Sequence, residues 1–242
     1  MRAIILAAGR GSRMKELTND MPKSCLELWG KRLIDWQLEA IRNVGIREIA
    51  IVTGYRREFL QLEGVTEFYN SNWSKTNMVS SLMMAKPWLE SDDCIISYSD
   101  IFYTERAVSA LLNDNYSFSV AYTTHFMDLW SQRFSDPLVD LETFKLSENN
   151  LIKEIGGIPT VTSEIEGQFA GLFKVNPKSW NKIKQFLNMQ LESYIAKLDV
   201  TSLLSLLIKN HFDISGVPIE ETWLEVDTPL DLTLYNSWTN NH

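Results

Sequence analysis

A chain of 242 residues with 45% hydrophobic and 22% charged side chains is long enough to bury a sizeable core and has the makeup of a soluble globular protein. Its formal charge of −8, with no basic run, sets aside duplex nucleic acid and anionic membranes as partners, although local cations can still hold a triphosphate. The two cysteines, Cys25 and Cys94, lie in apolar runs and read as reduced core residues, and His125, His211 and His242 are too scattered for a zinc site. No segment reaches the ~20 apolar residues of a membrane helix, and Gly9 and Arg10 cut the first apolar run too early for a signal peptide, so a cytoplasmic protein is expected.

The first strand is expected over residues 2–8, a short apolar run bounded by Gly9, as in buried parallel sheets. Apolar residues at helical spacing predict a helix over 34–44, stopped by Gly45, and a strand follows over 48–54. A short helix around 55–62, a strand at 66–70, a helix through "NMVSSLMMAKPWL", a strand at 94–100, a helix at 104–113 and a strand at 117–124 continue the alternation. That order predicts βαβ units in a Rossmann-like, mainly parallel α/β sheet with helices on both faces. After residue 125 the segment "HFMDLWSQRFSDPLVDLETF" has no clean period. Strands are expected at 151–155 and 168–175, helices over 178–196 and 200–210, a strand end at 223–227 and a last helix over 229–239. With no repeat or long linker, the chain reads as one domain, 1–242, whose half after 125 is an insertion that completes a pocket.

The stretch "IILAAGRGSRM" carries the first chemical signal. Gly9 and Gly11 let backbone N–H groups approach a ligand, and Arg13 adds a bidentate cation, the layout of a phosphate cradle. Met14 stands where a dinucleotide fingerprint needs its third glycine, and no Walker lysine follows. Pro22-Lys23 instead brings a second cation about ten residues on. Asp100 and Asp227 each end an apolar strand. Either alone is an ordinary helix cap or turn residue. Together, beyond the carboxyl ends of one sheet, they suggest oxygen ligands for Mg²⁺.

The segments "LAAGRGSRM", "PKSCLEL", "LIDWQLEAIRNVGI", "IVTGY", "SYSDI" and "EVDTPLDL" resemble the nucleotidyltransferase family, strongly over 1–110 and more loosely over 165–235. "FYNSNWSKTNMVSSLMMA" and "SYSDIFY" resemble its phosphocholine cytidylyltransferase branch, and "WSQRFSDPLVDLETFKL" resembles members found with capsule-modification enzymes, including those using phosphoglutamine. The resemblance implies transfer of CMP from CTP to a small phosphorylated acceptor: phosphocholine, a phosphonate or a phospho-amino acid. Residues 1–124 would then be the nucleotide-binding half and 125–242 the acceptor-binding, metal-completing half. It implies that Leu6, Ala7, Ala8 and Gly9 hold the base and ribose, Gly11, Ser12 and Arg13 the triphosphate, with Lys23 near the α-phosphate and Ser99 beside it. Arg13 and Lys23 would be the catalytic cations and Asp100 and Asp227 the Mg²⁺ ligands. Thr76 and Asn77 would open a helix whose N–H groups meet cytosine or phosphate.

For the acceptor, the candidates are Tyr103, Trp130, Arg133, Gln168 and Trp223. Aromatic faces suit a quaternary ammonium, whereas Arg133 would clamp the carboxylate of an amino-acid acceptor. Two alternatives stay open. One is a uridylyl- or thymidylyltransferase acting on a sugar 1-phosphate, although "LIKEIGGIPTV" places Gly157 and Ile158 where such enzymes carry a lysine, leaving Lys153 as the substitute. The other is a non-catalytic nucleotide-binding relative. A homodimer is also left open.

Overall fold

The computed structural model describes residues 1–238. His242 and the last residue of the helix expected over 229–239 lie outside the described residues. Strand β1 (Arg2–Ala7) leads through left-handed Gly11 into short 3₁₀ turns at Ser12–Thr18 and Lys23–Cys25. A hairpin of β2 (Glu27–Leu28) and β3 (Lys31–Arg32) precedes α1 (Leu33–Asn43), β4 (Ile49–Thr53), β5 (Val65–Tyr69), α2 (Met78–Met84) and α3 (Lys86–Leu89). Then come β6 (Cys94–Tyr98), β7 (Ile101–Phe102), α4 (Glu105–Asn113), β8 (Phe118–Thr123) and α5 (Phe126–Arg133). The second half adds β9 (Phe144–Leu146), β10 (Ile152–Ile155), β11 (Gln168–Val175), α6 (Pro177–Asn188) and α7 (Glu192–Ile195). It closes with α8 (Val200–Lys209), β12 (Ser215–Ile219), β13 (Leu224–Glu225) and α9 (Pro229–Asn236).

Seven strands form the main sheet in the order β12-β8-β11-β6-β1-β4-β5, so both halves of the chain contribute to it. All neighbours are parallel except β11, which runs antiparallel to β6 and β8. Period-two alternation sorts the strand residues between two cores. Ala3, Ile5 and Ala7 of β1 pack with α1 and α4 on one face. Ile4, Leu6 and Val52 pack on the other with α2, α6 and α8. The expected mainly parallel sheet with helices on both faces is what the chain builds. Cys25 and Cys94 are buried free thiols, and no helix among the described residues is long and apolar enough to cross a membrane.

Several local expectations are corrected. The segment after residue 125 is not irregular throughout, because Phe126–Arg133 forms a helix that buries Phe126, Leu129 and Trp130. The helix expected over 178–196 stops at Asn188, and Glu192–Ile195 forms a separate turn. The run 77–89 breaks at Ala85, two residues before Pro87, whose ring is tolerated only in the first turn of the next helix. Strand β12 was not anticipated, because Gly216 and Pro218 read as breakers; at the sheet edge a proline costs no ladder bond.

Gly54, after β4, is where the chain passes closest to the exit of β1. A Cβ there would lie 2.5 Å from the Ala8 carbonyl oxygen and 2.6 Å from Trp73 Cβ, while the Tyr55 N–H donates to that same carbonyl at 2.9 Å. Gly54→Ala should therefore cost about 1–3 kcal/mol as overpacking. Urea denaturation reads this directly, and an unchanged midpoint would mean the crossing has slack.

Candidate functional site

The carboxyl ends of β1 and β6 in the main sheet meet the end of β13, which pairs with β7 outside that sheet rather than within it as expected, and a single ammonium ties them together. Lys23 Nζ donates to Asp100 Oδ2 at 2.8 Å and to Asp227 Oδ1 at 2.6 Å. Arg13 reaches the other Asp227 oxygen at 2.7 Å. Burial works against the Lys23 charge, yet Asp100 and Asp227 outweigh it and hold its pKa above the ordinary value. The backbone is shaped for this contact. Gly11 has φ +70°, and a Cβ on it would lie 2.8 Å from the Lys23 side chain, so the loop needs glycine twice over. The Gln37 amide donates to the Tyr98 and Ile101 carbonyls at 3.0 and 2.6 Å and pins the turn that presents Asp100.

Two clefts meet at this cluster. The first, about 160 Å³, is lined by Leu6, Ala8, Gly9, Gly11, Lys23, Thr76, Asn77, Ser99 and Asp100, together with Trp73, Met78, Ser81 and Tyr98. Most of the expected nucleotide residues thus share one wall. Ala7 does not, since its side chain points into the opposite core, and Ser12 is exposed on the loop.

The second cleft, about 270 Å³, adjoins the first across Met78 and Tyr98 and takes Arg13 and Asp227 into its wall. Trp130 and Trp223 stack there, with centroids 6.1 Å apart and planes within 8°. Asp140, Glu142, Asp199 and Glu225 also line it, and Asp140 accepts from the Trp130 indole N–H at 3.0 Å. Burial, with Asp199 and Asp140 nearby, pushes the Glu142 carboxyl up to about 7, and burial beside Asp227 and Asp100 pushes Glu225 up to about 8. Gln168 lines this cleft, but its amide is committed to the chain: Nε2 donates to the Glu142 carbonyl at 2.6 Å and Oε1 accepts from the Glu142 N–H at 3.1 Å. It positions Glu142.

Of two other expected acceptor residues, Tyr103 lies elsewhere and Arg133 lies behind the wall of this cleft, 3.9 and 3.8 Å from Asp140 and Glu225. Tyr103 is buried, donates to Ser97 Oγ at 3.1 Å, and lines a separate groove with Trp36 and Thr104. Arg133 is 1% exposed, and its Nε donates to Asp231 Oδ1 at 2.9 Å. It is a buried support rather than a surface clamp. Asp231, whose burial alone would raise its pKa, is held below the carboxylate range chiefly by Arg133. Asp231 Oδ2 in turn accepts from the Asp227 and Thr228 N–H groups at 3.0 and 2.7 Å, so the pair fixes the loop carrying Asp227. Asp199, Glu225 and Ser81 were not singled out from the sequence. Asp199 also caps α8, accepting from the Ser202 N–H at 2.7 Å, and a cap is all that its sequence context signals.

A two-glycine loop after the first strand leads to a lysine clasped by two strand-end carboxylates, on a mainly parallel sheet with helices on both faces, and this is the arrangement of a nucleotidyltransferase. Residues 3–141 match the MobA-like NTP transferase domain, and the chain belongs to that family. It is 36% identical over 248 aligned positions to the CTP:phosphoglutamine cytidylyltransferase of Campylobacter jejuni, spanning 96% of this chain and 98% of the relative. The choline-phosphate cytidylyltransferase of Streptococcus pneumoniae is 25% identical over 218 positions, 84% of this chain and 91% of that one. In fold, the inositol-1-phosphate CTP transferase from T. maritima superposes with a TM-score of 0.78 at 19% identity, over 97% of this chain and 93% of the other.

Removing one partner of a buried ion pair strands the other charge, at a cost of about 3–5 kcal/mol. Arg133→Ala should accordingly lower stability by that order and loosen Asp227, whereas a clamp residue would change acceptor KM alone. Thermal unfolding of the variant, with and without acceptor, distinguishes the two.

Proposed function

We propose that the protein transfers CMP from CTP to a small phosphorylated acceptor whose organic part carries an ammonium or quaternary ammonium group, releasing pyrophosphate. The observation that carries the reading is the position of Lys23, shared between a carboxylate of the first cleft and one of the second. CTP would lie in the first cleft and the acceptor in the second, with their phosphates meeting at Lys23 and Arg13. The cytidylyltransferase names of two relatives support the base, and the acidic lining of the second cleft supports a cationic acceptor.

Both reactants are anions, so the task is to align them and offset their repulsion. An acceptor phosphate oxygen forms a bond to the α-phosphorus while the bond to the β-phosphate oxygen breaks, and pyrophosphate leaves with that oxygen. No general base is required, because the attacking oxygen is ionised at neutral pH. Lys23 and Arg13 draw in the phosphates, and Met78 and Tyr98 keep the two organic groups apart.

The residues fit Mg²⁺. Asp100 Oδ1 has no partner among the described residues, while the Asp227 oxygens, held by Lys23 and Arg13, would be shared with the ion, and one or two carboxylates plus substrate phosphates are its usual ligands. Asp100 and Asp227 would hold the ion, which supplies charge neutralisation at the triphosphate when bound. Lys153 is exposed on β10 and lines neither cleft, which weighs against the sugar 1-phosphate alternative. A cytoplasmic site of action, where CTP is made, and delivery of an activated headgroup to cell-surface polysaccharide follow from the same reading.

Pyrophosphate release measured with four nucleoside triphosphates against phosphocholine, phosphoglutamine and glucose 1-phosphate tests it: CTP with a cationic acceptor should be fastest, and UTP with the sugar phosphate would overturn it. The acidic wall adds a pH test. The Glu142 carboxyl titrates near 7, so its negative charge grows as pH rises through about 7 and acceptor KM should fall over that range. Glu142→Gln should flatten the profile and raise acceptor KM about tenfold, the scale of one charge-assisted bond, with CTP KM unchanged. Comparing the two proteins cancels the titration of the acceptor's own phosphate.

A further inference from the structure

Behind the first cleft lies a chain of hydrogen bonds whose polarity is fixed at every link but the last. The Asn72 N–H donates to Asn70 Oδ1 at 3.0 Å, which settles the orientation of the Asn70 amide. Both hydrogens of Asn70 Nδ2 are then spent, one on Thr76 Oγ1 at 3.1 Å and one on Ser81 Oγ at 3.0 Å. Thr76 passes its own proton to the Asn72 carbonyl at 3.0 Å. Ser81 receives a hydrogen bond and has no acceptor for its own proton among the described residues, although it is only 7% exposed. A buried donor left in this state calls for a partner. Ser81 lines the first cleft, so the partner is whatever occupies it.

The lining divides by chemistry: Gly11, Lys23 and Asp100 suit phosphates, and Leu6, Ala8, Trp73 and Met78 suit a base. The Trp73 ring is itself braced edge-on by Tyr55 at 5.3 Å. Ser81 stands three residues after Met78, on the same helix, and lines the cleft with it. A pyrimidine there meets a hydroxyl whose proton has no other acceptor among the described residues. Cytosine offers a bare N3 lone pair, whereas uracil carries N–H at the same position.

We propose that Ser81 is the residue that selects cytosine, its hydroxyl donating to N3 while Asn70 holds it in the donating sense. Uracil offers no lone pair at that position and would leave the Ser81 proton unmatched. The inference rests on the CTP reading above and adds the atom that enforces it. Asn70 is a positioning residue, since it acts on the base only through Ser81.

The test pairs a variant with an altered nucleotide. With the unmodified protein, 3-deaza-CTP, in which C–H replaces N3, should show kcat/KM about tenfold below CTP, the scale of one neutral hydrogen bond in a dry site. Ser81→Ala should lower kcat/KM for CTP by a similar factor, raise the UTP value because no unmatched proton remains, and treat CTP and 3-deaza-CTP alike, as a closed double-mutant cycle requires. Equal losses on CTP and UTP would mean that Ser81 contacts O2 or the ribose, and the proposal would fall. So it would if unmodified protein used 3-deaza-CTP as well as CTP, a result that needs no variant to fold. If CTP were no substrate, the functional reading would fail first; if CTP were preferred and Ser81→Ala kept that preference, only the Ser81 assignment would fail.

Discussion

The buried ammonium of Lys23 between Asp100 and Asp227 is the constraint around which the site is arranged. A lysine this enclosed keeps its charge only because two carboxylates answer it, and those carboxylates avoid mutual repulsion only because it is there. The three residues come from a loop after β1, the end of β6 and the end of β13, so the pairing also fastens distant parts of the chain at the mouth of the sheet. The tight turn at Gly11 follows from it, because any side chain there would displace Lys23.

Support for that cluster is layered. Gln37 holds the Asp100 turn from one side, and Arg133 holds the Asp227 loop through Asp231 from the other. Each support is buried and cannot touch a substrate itself. What remains open to ligands divides by chemistry. One cleft carries glycines, a lysine and apolar residues; the other carries four acids, Arg13 and two buried, stacked tryptophans. Net charge alone, −8, does not disclose this separation.

The sheet and the phosphate loop were legible in the sequence because short apolar runs ended by glycine or aspartate have few other readings. Arg13, Lys23, Asp100 and Asp227 could be named for that reason, and the chain brings all four together. Arg133 was misplaced because its neighbourhood is rich in acids and aromatics whether the helix turns it outward or inward; burial against α9 is a tertiary fact. Asp199 was passed over because a helix cap and a pocket carboxylate look alike in one dimension. Ser81 sits among methionines and leucines at helical spacing, and only the Asn70 network, closed between β5 and α2, distinguishes it from a core serine. Strand β12 stayed hidden because proline argues against a strand unless the strand is known to lie at an edge.

The most direct test of the Lys23-centred account is the turnover of Lys23→Met, compared with wild type at saturating CTP and acceptor after circular dichroism has confirmed folding. The account predicts a folded protein whose kcat falls about a hundred- to thousandfold, the loss that follows removal of one preorganised charge from such a site. A folded Lys23→Met with kcat within about tenfold of wild type, well short of that loss, would contradict it.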